Sequence, residues 1–286
     1  MQKRFTRYET RNMALFLLLF FSFLLLPRPA FAGWTTKDGN DYYVTKKGKT
    51  LTGWQVLKGK TYYFDQKGKQ MHGCVKVGTD YYCFSQERKE AGSLCLTGTP
   101  GGFNLEKKGK LLLPNPGEET RMKAFVYVSK MLHKKTRSSW SKKKKLKAMY
   151  NYASKLTYLY DDTDKTAAEC VLKFKKQIDG DCADTNSFLA FCGAVLGYRS
   201  YVMNDCAHWW GLVGGFVLDT NFFQFYTDYP TARRGGYSYH PCQAIRVDSP
   251  YAGSLMMTVH PDRYDYDTKV LMVFDDHIED LSFALQ

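Results

Sequence analysis

The chain has 286 residues and a formal net charge of +13 at pH 7, from 41 basic and 28 acidic side chains. Its densest basic run, HKKTRSSWSKKKKLK at 133–147, has neither a base-reading motif nor regular aromatic interleaving. The charge therefore indicates a solvated helix face or loop. A basic run can also indicate a nucleic-acid partner. The missing motif and aromatic pattern argue against such a partner here.

The first 32 residues have the layout of a secretory signal peptide. A basic start is followed by an apolar run at 14–26, broken only by Ser22, and the sequence AFA ends at Ala32. Because a bilayer core is about 30 Å thick, a run of 13 residues is too short to cross it as a helix. We predict cleavage and export, with no membrane span after signal removal; the alternative is an uncleaved N-terminal anchor. Cleavage removes five basic residues and one acidic residue and lowers the net charge to +9.

Eight cysteines in an exported chain favour disulfide bonds. They are Cys74, Cys83, Cys95, Cys170, Cys182, Cys192, Cys206 and Cys242. If one is a free nucleophile, at least one more is unpaired, and the spacing does not determine the connectivity. No CxxC spacing or His/Cys cluster predicts a structural metal, so we expect neither a metal nor a cofactor.

Residues 33–113 repeat with a period of 20. The openings GW, GW and GC recur at 33, 53 and 73, and a degraded fourth copy follows. Each opening precedes a tyrosine pair, and these pairs are Tyr42 and Tyr43, Tyr62 and Tyr63, and Tyr81 and Tyr82. Two short aromatic strands around Gly/Lys/Asp turns predict one β-hairpin per repeat. A single hairpin cannot bury its aromatic face, so we expect stacking into an all-β solenoid.

These units resemble the cell-wall-binding repeats of Gram-positive surface proteins, of the choline- or glucan-binding type. In choline-binding members, rings from adjacent repeats form a cage for a quaternary ammonium. The resemblance implies a wall polymer as partner (peptidoglycan, teichoic acid or glucan). It implies the ligand-binding residues Trp34, Tyr42, Tyr43, Trp54, Tyr62, Tyr63, Tyr81 and Tyr82.

The repeats also depart from the family pattern. The usual tryptophan before each tyrosine pair is Asp41, Thr61 or Asp80, and Cys74 replaces the third leading tryptophan. At most two incomplete cages are therefore expected. The alternative is that the aromatic side chains only hold the solenoid together.

Helical spacing begins at about residue 114. Apolar residues three and four apart predict helices in 118–135 and in 143–160, the second ending at Tyr158 and Tyr160. A third, short helix includes 170–174. These helices precede the stretch GDCADTNSFLAFCGAVLGYR at 180–199.

That stretch predicts a helix that begins at a cysteine. Gly180 interrupts the secondary structure that precedes the helix, and Asp181 caps the helix. Gly197 occupies the position where a helix commonly ends. Cys192 falls on the buried apolar stripe and has a structural role. Cys182 lies in the first turn, where unpaired N–H groups and the helix dipole favour a thiolate.

Two strands, 208–213 and 216–221, flank Gly214 and Gly215, which is the signal of a two-residue hairpin. This turn places residue 213 opposite 216 and residue 210 opposite 219. His208 and Asp219 then become diagonal neighbours on one face, so their side chains should meet. The other histidines (His72, His133, His240, His260 and His277) show no such pattern, and we expect solvated or packing roles for them.

GDCAD, AHWW and VLDTN together resemble the bacterial transglutaminase-like superfamily of papain-like thiol enzymes, over about 145–229. The resemblance implies an α+β fold in which the cysteine helix packs on an antiparallel sheet that carries His and Asp. It assigns a catalytic triad: Cys182 as nucleophile, His208 as general base and then acid, and Asp219 as the residue that orients the imidazole. The Cys182 N–H is an expected oxyanion donor.

The predicted architecture is thus a signal peptide at 1–32, hairpin repeats at 33–113 and a transglutaminase-like catalytic domain at 114–286. The predicted function is a secreted or wall-associated thiol enzyme of a Gram-positive bacterium. It acts on peptide or glutamine carboxamide bonds of a protein or peptide substrate through a thioester. Hydrolysis (a cysteine protease or amidase) and cross-linking acyl transfer both remain open. The alternative is a non-catalytic wall- or glycan-binding protein on an inactive thiol-enzyme scaffold.

Residues 230–286 complete no motif. CQAIRVD and TKVLMVFDD are predicted strands at the edge of the same domain. For Tyr237, Tyr239 and His240, beside Gly235 and Gly236, we expect a surface-loop role, with a place in the cleft lining as the alternative.

Overall fold

The structure is a computed structural model that describes residues 32–85, 92–96, 99, 101–113, 115–159, 165–175, 179–205, 207–235, 239, 243–247 and 272–273. The predicted signal peptide, except Ala32, lies outside the described residues, as do Cys206, Cys242, Tyr237, His240, His260 and His277. Within the described ranges, no helix has the length and apolar character that crossing a membrane requires.

Three antiparallel hairpins form the N-terminal part. Their strands are β1 (Gly33–Lys37) with β2 (Asn40–Val44), β3 (Gly53–Leu57) with β4 (Lys60–Phe64), and β5 (Gly73–Val77) with β6 (Asp80–Phe84). The prediction of one hairpin per repeat is confirmed. In the degraded fourth copy, the described residues include a short 3₁₀ turn at Lys107–Gly109 and β-bridges from Leu105 to Leu111 and from Lys110 to Tyr82.

The third hairpin corrects the predicted tyrosine alignment. Trp34 pairs with Tyr43 and Trp54 with Tyr63, whereas Cys74 pairs with Cys83. The strict 20-residue register therefore places Tyr82 and Cys83 where the earlier repeats have two tyrosines, and Tyr81 lies one position before that pair. A disulfide joins Cys74 and Cys83 across the hairpin, where the earlier repeats have a Trp–Tyr contact.

Helices follow the repeats. They are α1 (Pro116–Lys135), α2 (Lys142–Ala153), α3 (Ala167–Phe174), α4 (Cys182–Val195) and α5 (Tyr229–Arg234). The predicted extension of α2 to Tyr158 is wrong. The Ser154 N–H and hydroxyl both bond the Tyr150 carbonyl at the helix end, and the chain then extends. The short strand β7 (Thr157–Tyr158) pairs in parallel with β8 (Asp179–Gly180) and so approaches the start of α4.

A six-stranded sheet lies against α4. Its strands are β9 (Ser200–Asn204), β10 (Trp209–Val213), β11 (Phe216–Asp219), β12 (Gln224–Asp228), β13 (Gln243–Arg246) and β14 (Met272–Val273). The order is β12-β11-β10-β9-β13-β14, and all neighbours are antiparallel except β13 and β14. Every residue of α4 is buried, so the helix forms the centre of the core between the sheet and the other helices.

The hairpins and the helices share that core. The Cys74 N–H donates to the Ser129 hydroxyl of α1 at 2.8 Å, and Asp65 pairs with His133 at 3.0 Å. Gly73 has φ +73°, and a Cβ there would lie 2.5 Å from the Ser129 oxygen, so only glycine permits this approach. The predicted division between residues 113 and 114 is thus crossed by buried contacts.

Candidate active site

Cys182 is the first residue of α4, as the sequence predicts. The Asp181 side chain accepts a hydrogen bond from the Asp184 N–H at 2.8 Å, and Asp184 accepts one from the Asp181 N–H at 3.4 Å. This reciprocal capping fixes the helix start at the cysteine. Gly197 follows the helix end with φ +79°, in agreement with the predicted terminator.

The hairpin that should bring His and Asp together is also present. Gly214 and Gly215 have φ angles of +59° and +84°, as a two-residue turn of type I′ requires. Val213 pairs with Phe216 in the predicted register. The strands are shorter than predicted, because β10 begins one residue after His208 and β11 ends at residue 219.

His208 lies between the other two predicted triad residues. Its Nε2 atom is 2.6 Å from Oδ2 of Asp219, which confirms the contact that the hairpin register predicts. The Cys182 side chain also interacts with the imidazole and contributes to the pKa of His208. Since Nε2 is engaged by the carboxylate, Nδ1 is the ring nitrogen available to the sulfur. The catalytic role of the three residues stays a prediction.

This arrangement favours a protonated imidazole. Burial by itself lowers the pKa of His208, but the hydrogen bonds to Asp219 and Cys182 and their negative charge outweigh it and raise the pKa to about 9. His208 is therefore a proton donor at neutral pH, and its positive charge attracts an anionic sulfur.

Two side chains for which the sequence predicted no contact with Asp219 hold its carboxylate. The Tyr239 hydroxyl donates to Oδ2 at 3.0 Å, and the Asn186 amide donates to Oδ1 at 3.3 Å. Tyr239 is buried, so the predicted surface-loop role is wrong for this residue. Asn186 also donates to the Trp209 carbonyl at 2.6 Å and ties α4 to β10. The sequence did contain a sign of this role, because Asn186 is an amide four residues after Cys182 on an otherwise mainly apolar helix.

Backbone donors lie next to the sulfur. Among the described residues, no hydrogen bond is formed by the N–H groups of Cys182 and Ala183, the first two of α4. Such groups at a helix N-terminus can bind a developing oxyanion. The Ala183 N–H is thus a candidate for a second oxyanion donor, beside the Cys182 N–H that the sequence predicts.

Buried charges surround the helix start. Burial, followed by the neighbouring charge of Asp181, raises the pKa of Asp184, and two lysines offset this. Lys165 lies 3.6 Å from each of these carboxylates, and Lys173 lies 3.4 Å from Asp184. The lysines neutralise negative charge that would otherwise repel a thiolate one and two residues away.

The solvent side of His208 carries aromatic side chains. Phe222 packs edge-on against the imidazole with ring centroids 4.9 Å apart, and it is 40% exposed. Phe223 beside it is 85% exposed. Cys182 is 8% exposed, so little of this residue is open to solvent.

The other described thiols differ from Cys182. Cys95, Cys170 and Cys192 are also buried. Burial raises the pKa of Cys170 and Cys192 well above the usual range, so both are inert at neutral pH. The structural role predicted for Cys192 agrees with its complete burial. Across the described residues, no group of three or more His, Cys, Asp or Glu side chains is placed to hold a metal.

A second candidate site lies in the repeats, where two equivalent sets of rings form. The rings of Trp34, Tyr43 and Tyr62 make one set, with centroids 5.5 and 5.1 Å from the tryptophan. Those of Trp54, Tyr63 and Tyr82 make the other, at 5.1 and 4.8 Å. Each set joins one hairpin to the next.

The remaining predicted ligand residues fall outside these sets. Tyr81 is buried in the core instead, and Tyr42 makes no described ring contact. Trp34 and Trp54 are 44% and 38% exposed, so both sets open to solvent. The Cys74–Cys83 disulfide takes the place of a third set.

The comparisons with known proteins concern these repeats. Residues 51–87 match the family described as choline-binding repeat. This span covers the second and third hairpins. The chain thus contains wall-binding repeats similar to the choline-binding type.

Solved structures give partial likenesses, and three of them are proteins of Streptococcus pneumoniae. CbpJ is 28% identical over 29% of this chain and 28% of its own, with a TM-score of 0.26. Choline binding protein F, solved with a peptidoglycan analogue, is 28% identical over 29% of this chain and 27% of its own, with a TM-score of 0.26. The choline binding domain of Spr1274 is 22% identical over 30% of this chain and 99% of its own, with a TM-score of 0.27.

The aligned part therefore spans less than a third of the first two relatives. No match was found among curated proteins. None of the matches named here bears on the transglutaminase-like resemblance of 145–229, which stays a prediction.

Proposed function

We propose that this chain is a wall-associated surface protein of a Gram-positive bacterium and that it also carries a thiol acyl-transfer site. The similarity of residues 51–87 to choline-binding repeats supports the attachment. The two exposed ring sets support a cationic ligand such as a quaternary ammonium on the wall polymer. The single observation that supports the chemistry is that His208 lies 2.6 Å from the Asp219 carboxylate and also interacts with Cys182.

In this proposal the Cys182 sulfur attacks a peptide or carboxamide carbonyl. The carbon–nitrogen bond then breaks, and His208 gives its proton to the departing amine. A thioester remains on Cys182. Water or a second amine attacks that thioester, gives a proton to His208 and releases the sulfur, so hydrolysis and transamidation share every group of the site.

The surrounding residues have separate tasks in this scheme. Asp219 keeps the imidazole oriented and compensates its positive charge, and the Cys182 and Ala183 N–H groups stabilise the oxyanion. Phe222 and Phe223 favour a substrate with an apolar side chain near the scissile bond. A protonated His208 at neutral pH suits the amine-expelling step, in which the imidazole acts as an acid.

The alternative is a non-catalytic wall-binding protein on a thiol-enzyme scaffold. The family match favours it, because that match concerns binding only. The burial of Cys182, at 8% exposed, also agrees with it. The interaction of His208 with both Asp219 and Cys182 favours a catalytic role.

One assay separates these possibilities. The protein, its Cys182→Ala variant and the control Cys95→Ala are incubated with a glutamine-rich protein, a labelled primary amine and wall peptides. Amine incorporation or cleavage that only Cys182→Ala abolishes supports the enzyme and identifies the acceptor. If all three preparations are inactive on every substrate while the wild type still binds wall polymer, the non-catalytic alternative replaces the thiol proposal.

A further inference from the structure

A partly open cavity lies between the repeats and the helices, and the space within it is about 310 Å³ when open solvent is included. Lys69 and His72 line it from the segment between the second and third hairpins. His133, Ser138 and Lys145 line it from α1, the α1–α2 connection and α2. No residue of the Cys182–His208–Asp219 site lines it, so what it binds is independent of the thiol chemistry.

Several polar atoms that face this cavity lack partners. His72 Nε2 and Ser138 Oγ are buried and have no hydrogen-bond partner among the described residues. Buried polar atoms are nearly always hydrogen-bonded in folded proteins, so two such atoms at one cavity indicate an occupant. The same His72 ring bonds the backbone of Ser85, which fixes its orientation.

The cavity is also cationic. The partly buried Lys145 ammonium has neither a hydrogen bond nor a carboxylate within 4 Å among the residues that the structure describes. Lys69 donates to the backbone carbonyls of His133 and Thr136, which place its charge at the wall of the cavity. Burial lowers the pKa of both lysines, which means that the surrounding protein compensates their charge poorly.

Two carboxylates act on these lysines, and each already has another partner. Asp65 pairs with His133 at 3.0 Å, and Asp41 accepts from Thr36 at 2.8 Å. Lys142 adds further positive charge near Lys145. Burial lowers the pKa of His72 to about 3, so this ring is neutral until an anion arrives.

We propose that this cavity is a binding site for one phosphate group, held by Lys145, Lys69, Ser138 and His72. Charged phosphate oxygens accept from the two ammonium groups and the hydroxyl. His72 Nε2 accepts from a P–OH group, or donates once the bound anion has protonated the ring. Because the lining comes from both the repeats and the helices, a bound phosphate links the two parts.

Calorimetric titration of the full chain with inorganic phosphate, against sodium chloride at equal ionic strength, tests this site. We expect one phosphate per chain. Lys145→Met should weaken binding roughly tenfold or more, since a charge-assisted hydrogen bond is lost. Ser138→Ala removes a donor with little risk to folding and should weaken it less. Lys47→Met, in an exposed turn of the first repeat, is the matched control and should bind as the wild type does.

A second titration uses a glycerol phosphodiester, which carries the same group within a polymer-like linkage. Lys145-dependent binding of inorganic phosphate alone supports the site with a free phosphate or monoester as its source. Lys145-dependent binding of the diester supports it with a polymer as its source. The proposal is overturned if neither compound binds. It is also overturned if Lys145→Met and Ser138→Ala leave the binding unchanged.

Discussion

The imidazole of His208 and the carboxylate of Asp219 approach to 2.6 Å, from the residue before β10 and the last residue of β11. The glycine turn between the two strands fixes this approach, since a register shift of one residue would turn the side chains to opposite faces. The same imidazole reaches Cys182 at the start of α4. Three backbone features (a capped helix start, a two-residue turn and a strand register) therefore assemble the site.

Replacement of the Asp219 carboxylate should return the pKa of His208 towards the usual value of a histidine. In Asp219→Asn the amide no longer supplies negative charge, so the pKa of His208 should fall from about 9 by roughly one to two units. Titration of the imidazole resonances by NMR measures this. Asp38→Asn, at an exposed position with φ +51° that asparagine also accepts, is the control and should leave the titration unchanged.

The stability of the protein should decline in mildly alkaline solution. The folded His208 has a pKa of about 9 and the unfolded one about 6.5, so the folded state binds more protons between these values. The stabilisation is complete below pH 6.5 and is lost as the pH rises through 9. Urea unfolding should show a loss on the order of 1–3 kcal/mol over this interval. Asp219→Asn should flatten the dependence, and an unchanged slope in that variant would argue against His208 as its source.

Adjacent polar residues of α4 should respond oppositely to truncation. Asn186→Ala leaves the Trp209 carbonyl without its 2.6 Å donor and removes a donor to Asp219, so we expect destabilisation by about 2–4 kcal/mol. Ser187→Ala removes a buried hydroxyl that has no partner among the described residues, and it should be neutral or stabilising. Chemical denaturation of both variants provides the comparison. Equal losses would contradict the positioning role of Asn186.

The repeats should bind through exposed tryptophans. Trp54→Ala removes the ring that contacts both Tyr63 and Tyr82, and retention on a choline-bearing resin should fall roughly three- to thirtyfold, as loss of a cation–π contact implies. Val56→Ala, a 71% exposed apolar position in the same strand, should retain binding. If Trp54→Ala elutes with the wild type, the rings serve only to pack the repeats.

Local signals in the sequence were sufficient to predict the repeats and much of the site. The 20-residue period predicted the hairpins, and the Gly214–Gly215 turn predicted the His208–Asp219 contact, because short-range backbone rules determine both. The start of α4 at Cys182 followed from Gly180 and the Asp181 cap.

Contacts between distant segments were not predictable in this way. Tyr239 reaches Asp219 through the packing of a segment 20 residues away, and its own surroundings in the sequence suggested a surface loop. The Cys74–Cys83 pairing depended on a register in which the third tyrosine pair is displaced by one residue. The docking of the hairpins on Ser129 depends on shape complementarity between elements far apart in the sequence.

Site-resolved alkylation tests most directly whether Cys182 is an activated thiol. Cys182 and Cys95 are 8% and 7% exposed, so accessibility alone predicts equal rates with a small neutral electrophile such as iodoacetamide. We predict that Cys182 reacts at least about tenfold faster at pH 7 and that His208→Asn removes this advantage. Equal rates for the two thiols, or a Cys182 rate that His208→Asn leaves unchanged, would contradict the account and leave α4 as a structural helix.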